Sequence, residues 1–274
     1  MSRVQTSPMQ DRDDKRSNGT GRGDVSDSTT KCSDTTRDLR ITALIPAYNE
    51  AERIAATVTA VRGIAAVDEV IVIDDGSRDD TAQLAVDAGA RVMRLTKPGL
   101  VGNNVGKGGA LQYAATRCED ADIVLLLDGD LGESASQAAL LLEPVLAGTA
   151  DMAIAAFPKP AGKAGFGLVK GLAARAIRKA ARRSCAPGCD TWTPAAPLSG
   201  QRALTRACLD AVLPFGSGYG VEVALSIRAL RAGFRLVEVP TTMTHAATGR
   251  DLAGFLHRGK QFRDVAVTLI KMKF

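Results

Sequence analysis

Short apolar runs that alternate with helical segments restrict the fold of this sequence more than any other feature. Mainly apolar runs occupy residues 41–45, 70–73, 91–95 and 123–127, and apolar residues at helical spacing occupy 50–63, 81–88 and 108–117. Such short runs are typical of strands that are buried on both faces of a sheet. Repeated strand–helix–strand units place the strands in parallel, with helices on both faces. The sequence therefore predicts an α/β fold with a mostly parallel sheet.

Polar and charged residues stand close behind the predicted strands. Glu50 follows the first strand, Asp75 follows the second, and Asp128 and Asp130 follow the fourth, while Lys107 precedes the helix 108–117. In an open parallel sheet, a ligand binds beyond the carboxyl ends of the strands. We therefore expect these five side chains to converge on one crevice.

The common phosphate-binding fingerprints are missing from this crevice. The first strand is followed by a Pro-Ala-Tyr-Asn-Glu sequence where a dinucleotide site has Gly-x-Gly-x-x-Gly. The Gly-Lys-Gly sequence around Lys107 lacks the Ser or Thr that follows the lysine of a P-loop, and Val101 stands where that motif has glycine. These departures argue against a dinucleotide oxidoreductase and against a P-loop kinase or ATPase.

Two aspartates separated by one glycine suit a hard divalent cation. Asp128-Gly129-Asp130 follows a buried strand, and Gly129 lets the backbone approach a ligand closely. A bound Mg²⁺ or Mn²⁺ would neutralise a diphosphate and act as a Lewis acid on a leaving phosphate oxygen. The pattern therefore favours metal-dependent chemistry on a phosphorylated substrate.

The composition is that of an ordinary globular protein. The chain has 274 residues, of which 45% are hydrophobic and 24% charged, and its formal net charge is +5. Aromatic residues are only 4%, which argues against nucleic-acid binding by stacking. Five cysteines, an odd number, argue against a disulfide framework. No apolar run approaches the roughly 20 residues of a membrane span, and no signal peptide is evident, so we expect a cytoplasmic protein.

The first 39 residues differ from all that follows. They contain no aromatic residue and few aliphatic ones, and they are rich in Ser, Thr, Asp, Arg and Gly. Such a segment cannot bury enough apolar surface to offset its ordering entropy. We expect a disordered tail over residues 1–39 and one folded domain over residues 40–274.

Four motifs follow one another at the ends of the predicted strands: Pro46-Ala47-Tyr48-Asn49-Glu50, Asp74-Asp75-Gly76-Ser77, Gly106-Lys107-Gly108 and Asp128-Gly129-Asp130. Two more stand downstream: Pro197-Leu198-Ser199-Gly200 and Gly218-Tyr219-Gly220-Val221-Glu222. The first four resemble the nucleotide-sugar half of family-2 glycosyltransferases of the GT-A fold, and the last two resemble glucosyl-3-phosphoglycerate synthases. The resemblance implies a nucleotide-sugar half over 40–131, an acceptor half over 132–260 and a C-terminal helix over 261–274.

The resemblance implies a donor site along the ends of the first two strands. Pro46, Ala47 and Glu50 would frame the base and the ribose. Asp75 would contact the base, and Lys107 would contact the nucleotide or its diphosphate. The expected donor is a UDP- or GDP-sugar.

The resemblance also implies a metal and diphosphate site after the fourth strand. Asp130 would bind the metal, and His245, which follows a late predicted strand, would complete its coordination. Asp128 would bind the ribose or a metal-bound water beside Gly129. Arg250 would close over the diphosphate.

Glu222 is the expected catalytic carboxylate at the reacting sugar, together with Asp130 at the metal. Glu222 opens a predicted helix, where a carboxylate is also favoured by the helix dipole. In an inverting enzyme it would take the proton of the acceptor hydroxyl, and in a retaining enzyme it would position the acceptor or stabilise developing positive charge. The sequence leaves these two outcomes open.

The match to the phosphoglycerate synthases departs at the acceptor. Leu168 stands where those enzymes have an arginine, and Lys170 stands where they have a threonine, so the guanidinium that would clamp a carboxylate or phosphate is missing. Five positions are the acceptor-site candidates that the resemblance implies: Gly165, Lys170, Ser199, Gly200 and Tyr219.

We therefore predict a metal-dependent glycosyltransferase with an undetermined hydroxyl or phosphate acceptor, and with a homodimer as one expected partner state. One alternative is a sugar-phosphate nucleotidyltransferase, which would need a glycine-rich, Arg-containing turn after the first strand. A second is a polyprenyl-phosphate glycosyltransferase at the membrane surface, which the basic stretches over 170–183 and 258–273 favour. A binding module without activity is a third.

Overall fold

The computed structural model describes residues 39–95, 104–157, 167–186, 188, 192–216, 220–244 and 263–272. The predicted disordered tail lies outside this part of the chain except for Leu39. The division of the folded part into a donor half and an acceptor half stays a prediction.

Seven strands form one sheet in the described part of the chain. In spatial order they are β3, β2, β1, β4, β6, β5 and β7. All neighbours pair in parallel except that β6 runs antiparallel to both β4 and β5. The predicted mostly parallel sheet is confirmed. The strands are β1 Ile41–Ala47, β2 Glu69–Asp74, β3 Arg91–Arg94, β4 Ile123–Leu126, β5 Met152–Ala156, β6 Arg202–Thr205 and β7 Leu236–Pro240.

Helices cover both faces of the sheet, as the strand–helix alternation predicts. One apolar layer holds α1, α2, α4 and a 3-10 helix, and the other holds α3, α5, α6, α7 and α8. None of the described helices is long and apolar enough to cross a membrane. The helices are α1 Ile54–Arg62, α2 Thr81–Asp87, α3 Gly106–Ala115, the 3-10 helix Gly132–Ala138, α4 Ala139–Leu146, α5 Gly167–Ala181, α6 Arg206–Val212, α7 Val221–Arg231 and α8 over residues 263–271.

Several predicted boundaries move by a few residues. The first strand continues through Pro46 to Ala47, since β1 stays paired with β2 as far as the Ala47–Asp74 pair. The first helix begins at Ile54 and not at Glu50, because the carbonyl of Glu50 closes a preceding turn by accepting the amides of Arg53 and Ile54.

The sheet has its switch point at β1. From β1 the chain adds β2 and β3 on one side and then returns to place β4 on the other side. The carboxyl ends of β1, β2 and β4 therefore border one crevice, which is the usual ligand position in such sheets. Because β6 is antiparallel, its first residues lie at this same edge.

Candidate active site

The crevice brings the predicted charged residues together. Lys107, in the first turn of α3, places its Nζ 2.5 Å from Oδ1 of Asp128 and 3.2 Å from Oε1 of Glu222. The amide of Gln201 donates a hydrogen bond to the other carboxylate oxygen of Asp128 at 2.6 Å. We call Lys107, Asp128, Gln201 and Glu222 the lysine cluster. It joins residues that lie more than 100 positions apart in the sequence.

Lys107 carries a firmly held positive charge. Burial disfavours its ammonium form, but the carboxylates of Asp128 and Glu222 outweigh burial and raise the pKa of Lys107 above its ordinary value. The lysine is therefore protonated throughout the physiological range. Its ammonium can serve as a fixed cation beside a diphosphate.

The start of α3 is fixed by Asp75. Its carboxylate accepts the amides of Val105 and Gly106 at 2.8 and 2.7 Å. A carboxylate at a helix N-terminus satisfies free amides and is favoured by the helix dipole. Asp75, assigned to the base by resemblance, therefore also holds the turn that presents Lys107.

Gly108 allows α3 to pack closely against the start of α7. A Cβ at this position would lie 2.8 Å from Cγ2 of Val221 and would also strike the carbonyl oxygen of Gly216. The carbonyl is backbone, so a side chain at position 108 would force the segment at Gly216 away from α3. The second glycine of the Gly-Lys-Gly motif thus brings Lys107 within reach of Glu222.

Glu222 lies in the first turn of α7 and is only 9% exposed. Its backbone position is that of an ordinary first-turn carboxylate, yet its side chain turns to the lysine cluster. Glu222 is therefore placed both to interact with the dipole of α7 and to contact Lys107 in the crevice.

Glu50 lies in a region with an excess of negative charge. Burial, followed by the charges of Asp130, Asp128 and Asp79, raises the pKa of Glu50 to about 7. Oxygen ligands with surplus negative charge are what a hard divalent cation prefers. The donor atoms at this edge therefore fit Mg²⁺ or Mn²⁺.

The described residues alone do not complete a metal site. Among them, no group of three or more His, Cys, Asp or Glu side chains is placed to hold a metal ion. The predicted third ligand, His245, lies outside the described residues. Asp130 and its neighbours would therefore need that histidine, or oxygens of the substrate, to complete the coordination of a metal.

Gly129 lies where the loop after β4 meets the end of β1. A Cβ there would lie 3.4 Å from Cγ of Glu50 and 3.5 Å from both the Cβ of Ala47 and the carbonyl oxygen of Pro46. The four residues Pro46, Ala47, Glu50 and Gly129 thus form one wall of the crevice. Their contacts with a base and ribose stay a prediction.

A buried threonine that the sequence analysis missed supports the Asp-Gly-Asp loop. Thr57 of α1 donates its hydroxyl to the carbonyl of Gly129 at 2.9 Å and accepts the amide of Gly132 at 2.8 Å. The guanidinium of Arg53 donates to the carbonyl of Asp130 at 3.4 Å. The sequence contains one sign of this role, because Thr57 is a polar residue on the otherwise apolar face of a predicted helix.

The segment before β6 completes the lysine cluster. A Cβ at Gly200 would lie 3.3 Å from Oδ2 of Asp128 and would strike Nζ of Lys107. Ser199 is buried and donates its hydroxyl to Oε1 of Gln201 at 3.2 Å. Gly200, predicted at the acceptor with Ser199, thus lies beside Lys107 and Asp128, while Gln201 was missed.

One described residue of the predicted acceptor site is not joined to the lysine cluster. Lys170 is exposed in the first turn of α5, and no described contact connects it with Asp128 or Glu222. Four positions lie outside the described residues, and their roles stay predictions: Gly165, Tyr219, His245 and Arg250.

Two open clefts lie away from the lysine cluster. One, of about 590 Å³, lies on the α1 side of the Asp-Gly-Asp loop and includes Arg53, Leu131 and Thr244. The other, of about 580 Å³, lies at the opposite edge of the sheet and includes Arg40 and Glu69. The candidate active site is therefore identified by its charged side chains and not by the volume of an open cleft.

The chain is similar to a known family over most of its folded part. The family described as "Glycosyl transferase family 2" matches residues 42–185. Glycosyltransferase AglJ of Haloferax volcanii is 33% identical over 76% of this chain, and the match covers 64% of AglJ. The chain thus spans less than two thirds of that relative. The undecaprenyl-phosphate mannosyltransferase of Micrococcus luteus is 30% identical over 77% of this chain and 86% of its own length.

Solved structures show the same architecture. The crystal structure of glucosyl-3-phosphoglycerate synthase from Mycobacterium tuberculosis, in complex with Mn²⁺, UDP-glucose and phosphoglyceric acid, superposes with a TM-score of 0.64. The sequence identity is 30%, and the match covers 85% of this chain and 79% of the synthase. The structural similarity therefore covers more of the chain than the residues 42–185 that match the family.

Proposed function

Because the chain belongs to glycosyl transferase family 2 and has the GT-A fold, we propose that it transfers a sugar from a nucleoside-diphosphate sugar to an acceptor, with Mn²⁺ or Mg²⁺ as cofactor. The observation that carries this proposal is the lysine cluster at the switch point of the sheet. There a partly buried ammonium and several carboxylates border one crevice. The ammonium can neutralise a diphosphate, and the carboxylates can bind a metal cation.

UDP-glucose is the donor to test first. The M. tuberculosis synthase holds UDP-glucose with Mn²⁺, and this chain has the four nucleotide-sugar motifs of the family. Pro46, Ala47 and Glu50 would border the nucleoside, and Lys107 would neutralise diphosphate charge. Asp130 would bind the cation with Asp128 close by, and a bound cation would stabilise the departing diphosphate.

Glu222 is the proposed carboxylate at the reacting sugar. Its side chain is buried in the crevice and ion-paired with Lys107. As a general base it would remove the proton of an acceptor hydroxyl, and in a retaining reaction it would orient the acceptor. Both roles need a carboxylate held in one place, which the lysine cluster supports.

The transfer proposal predicts metal-dependent release of UDP from UDP-glucose. Asp130→Ala should lower turnover at least about 100-fold, because the cation loses its proposed ligand. UDP release is measured with Mn²⁺ and with EDTA. Glu133→Ala is the matched control, since Glu133 is an exposed acid three residues further on.

Two results would contradict the transfer proposal. One is full turnover in Asp130→Ala or in EDTA. The other is release of pyrophosphate when the protein is given a sugar 1-phosphate and a nucleoside triphosphate, since that is the reaction of a nucleotidyltransferase.

A polyprenyl-phosphate acceptor at a membrane surface is the second candidate. The segment 167–183 has six Lys and Arg and no Asp or Glu, and Leu168 at its start is 84% exposed. A cationic helix with an exposed apolar residue suits an anionic lipid surface. The absence of an arginine at position 168 weakens phosphoglycerate as the acceptor, and the M. luteus relative acts on undecaprenyl phosphate.

Vesicle binding distinguishes these acceptors. If the membrane candidate is right, the protein should sediment with phosphatidylglycerol vesicles, and Arg175→Glu with Lys179→Glu on α5 should abolish this. Arg62→Glu with Arg117→Glu changes the net charge equally at exposed sites outside α5 and should retain binding. A wild-type protein that stays in the supernatant would favour a small, soluble acceptor.

A further inference from the structure

Arg202 is a fully buried cation next to the lysine cluster. It lies on β6 with 0% of its surface exposed. Its guanidinium donates to the carbonyl of Ser199 at 3.0 Å, the hydroxyl of Ser226 at 3.0 Å and the carbonyl of Glu222 at 2.9 Å, and it contacts the sulfur of Met152 at 3.4 Å. These described partners are all uncharged groups. A buried arginine without a carboxylate partner is costly for a fold.

The partners of Arg202 belong to two segments of the site. Ser199 lies in the segment that places Gly200 and Gln201 against Asp128. Glu222 starts α7 and reaches Lys107 with its side chain. One guanidinium therefore ties both walls around the lysine cluster to the interior strand β6.

The carbonyl of Glu222 is held by two donors. Arg202 donates to it at 2.9 Å, and the hydroxyl of Ser226, one helical turn later, donates to it at 3.1 Å. Ser226 also accepts a hydrogen bond from Arg202. These hydrogen bonds thus fix the orientation and the position of the first turn of α7 relative to β6.

Arg202 stays charged in this setting. Burial lowers its pKa to about 10, and the nearby charge of Glu222 opposes that shift. Two cations, Lys107 and Arg202, therefore stand around Glu222. Burying this charge is costly, and an apolar side chain of similar volume would avoid the cost.

We propose that Arg202 is a positioning residue that acts through Glu222. It holds the first turn of α7 and the Ser199–Gly200 segment so that the Glu222 carboxylate faces Lys107 and the reacting sugar. This inference rests on the proposed function. A purely structural arginine would stabilise the β6–α7 contact without any special coupling to Glu222.

A double-mutant cycle separates these two roles. Arg202→Met should lower kcat for UDP-glucose turnover at least about tenfold and leave KM within about twofold. In a Glu222→Gln background the same change should cost less than about twofold, since the carboxylate that Arg202 positions is already gone. Arg202→Lys keeps the charge and one donor direction and should recover part of the rate. Equal losses of kcat in both backgrounds, or full kcat in a folded Arg202→Met variant, would overturn the inference.

Arg206→Met is the matched control. Arg206 also donates to a backbone carbonyl, that of Cys118 at 2.8 Å, but it lies outside the site. It should leave kcat within about twofold. If Arg202→Met does not fold, the cycle is run with Arg202→Lys, and the same two results decide it.

A wild-type protein without turnover of any sugar nucleotide would end the proposed function but not this inference. The decision then rests on a crystal structure of the folded Arg202→Lys variant. A Glu222 carboxylate that has left Nζ of Lys107 would support positioning, and an unchanged 3.2 Å contact between them would overturn it.

Discussion

One glycine determines how closely Lys107 approaches Asp128. At Gly200 the three atoms nearest to an added Cβ are Nζ of Lys107 and the two carboxylate oxygens of Asp128. The tip of a lysine side chain moves easily, so a methyl group there would displace the ammonium and cost little stability. Activity and stability should therefore separate at this residue.

Gly200→Ala tests that separation. We expect turnover to fall about 10- to 100-fold, because the ammonium leaves its place between Asp128 and Glu222, while the melting temperature changes little. Gly171→Ala is the control: it lies in α5 with no atom within 4 Å of an added Cβ, and alanine favours a helix. Undiminished turnover in folded Gly200→Ala would show that the lysine cluster need not be this tight.

At the scale of elements, the sequence predicted the first half of the sheet better than the second. Strands β1, β2 and β4 are recognisable because buried parallel strands give short apolar runs with polar residues after them. The helix α7 is also confirmed near its predicted start. Strands β5 and β6 were not predicted, since their sequences, Met-Ala-Ile-Ala-Ala and Arg-Ala-Leu-Thr, have no distinctive period.

The direction of β6 explains which site residues were missed. The four residues of β6, Arg-Ala-Leu-Thr, form too short a pattern to show whether the strand runs parallel or antiparallel to its neighbours. Only the antiparallel course of β6 brings Gln201 to Asp128 and Arg202 to Glu222. By contrast, Glu50, Asp75 and Asp128 were predictable, because the ends of parallel strands meet at one edge.

At the scale of the whole molecule, the two edges of the sheet differ in how their charged side chains are arranged. The carboxyl edge holds the lysine cluster, where like charges lie close together around Glu50. The opposite edge is closed by ion pairs between strand starts. Asp151, just before β5, accepts the backbone amide of Arg235 at 2.7 Å and two guanidinium hydrogen bonds at 3.0 Å, which ties the start of β5 to that of β7.

This ion pair should make the stability of the whole domain vary with pH in the acid range. The hydrogen bonds from Arg235 outweigh partial burial and hold the pKa of Asp151 below its ordinary value of 3.8. In the unfolded chain the carboxyl binds its proton more readily, so its stabilising contribution is complete above pH 3.8 and is lost as the pH falls through the lower folded-state pKa.

We therefore expect wild type to exceed Asp151→Asn in free energy of unfolding at neutral pH, with the difference shrinking as the pH falls below 3.8. Urea unfolding of both proteins across this range measures the difference. Arg235→Met should lose the same pH-dependent contribution, because it removes the partner and not the acid. A difference between wild type and Asp151→Asn that stays constant with pH, or grows in acid, would show that Asp151 stabilises the β5–β7 contact by means other than its charge.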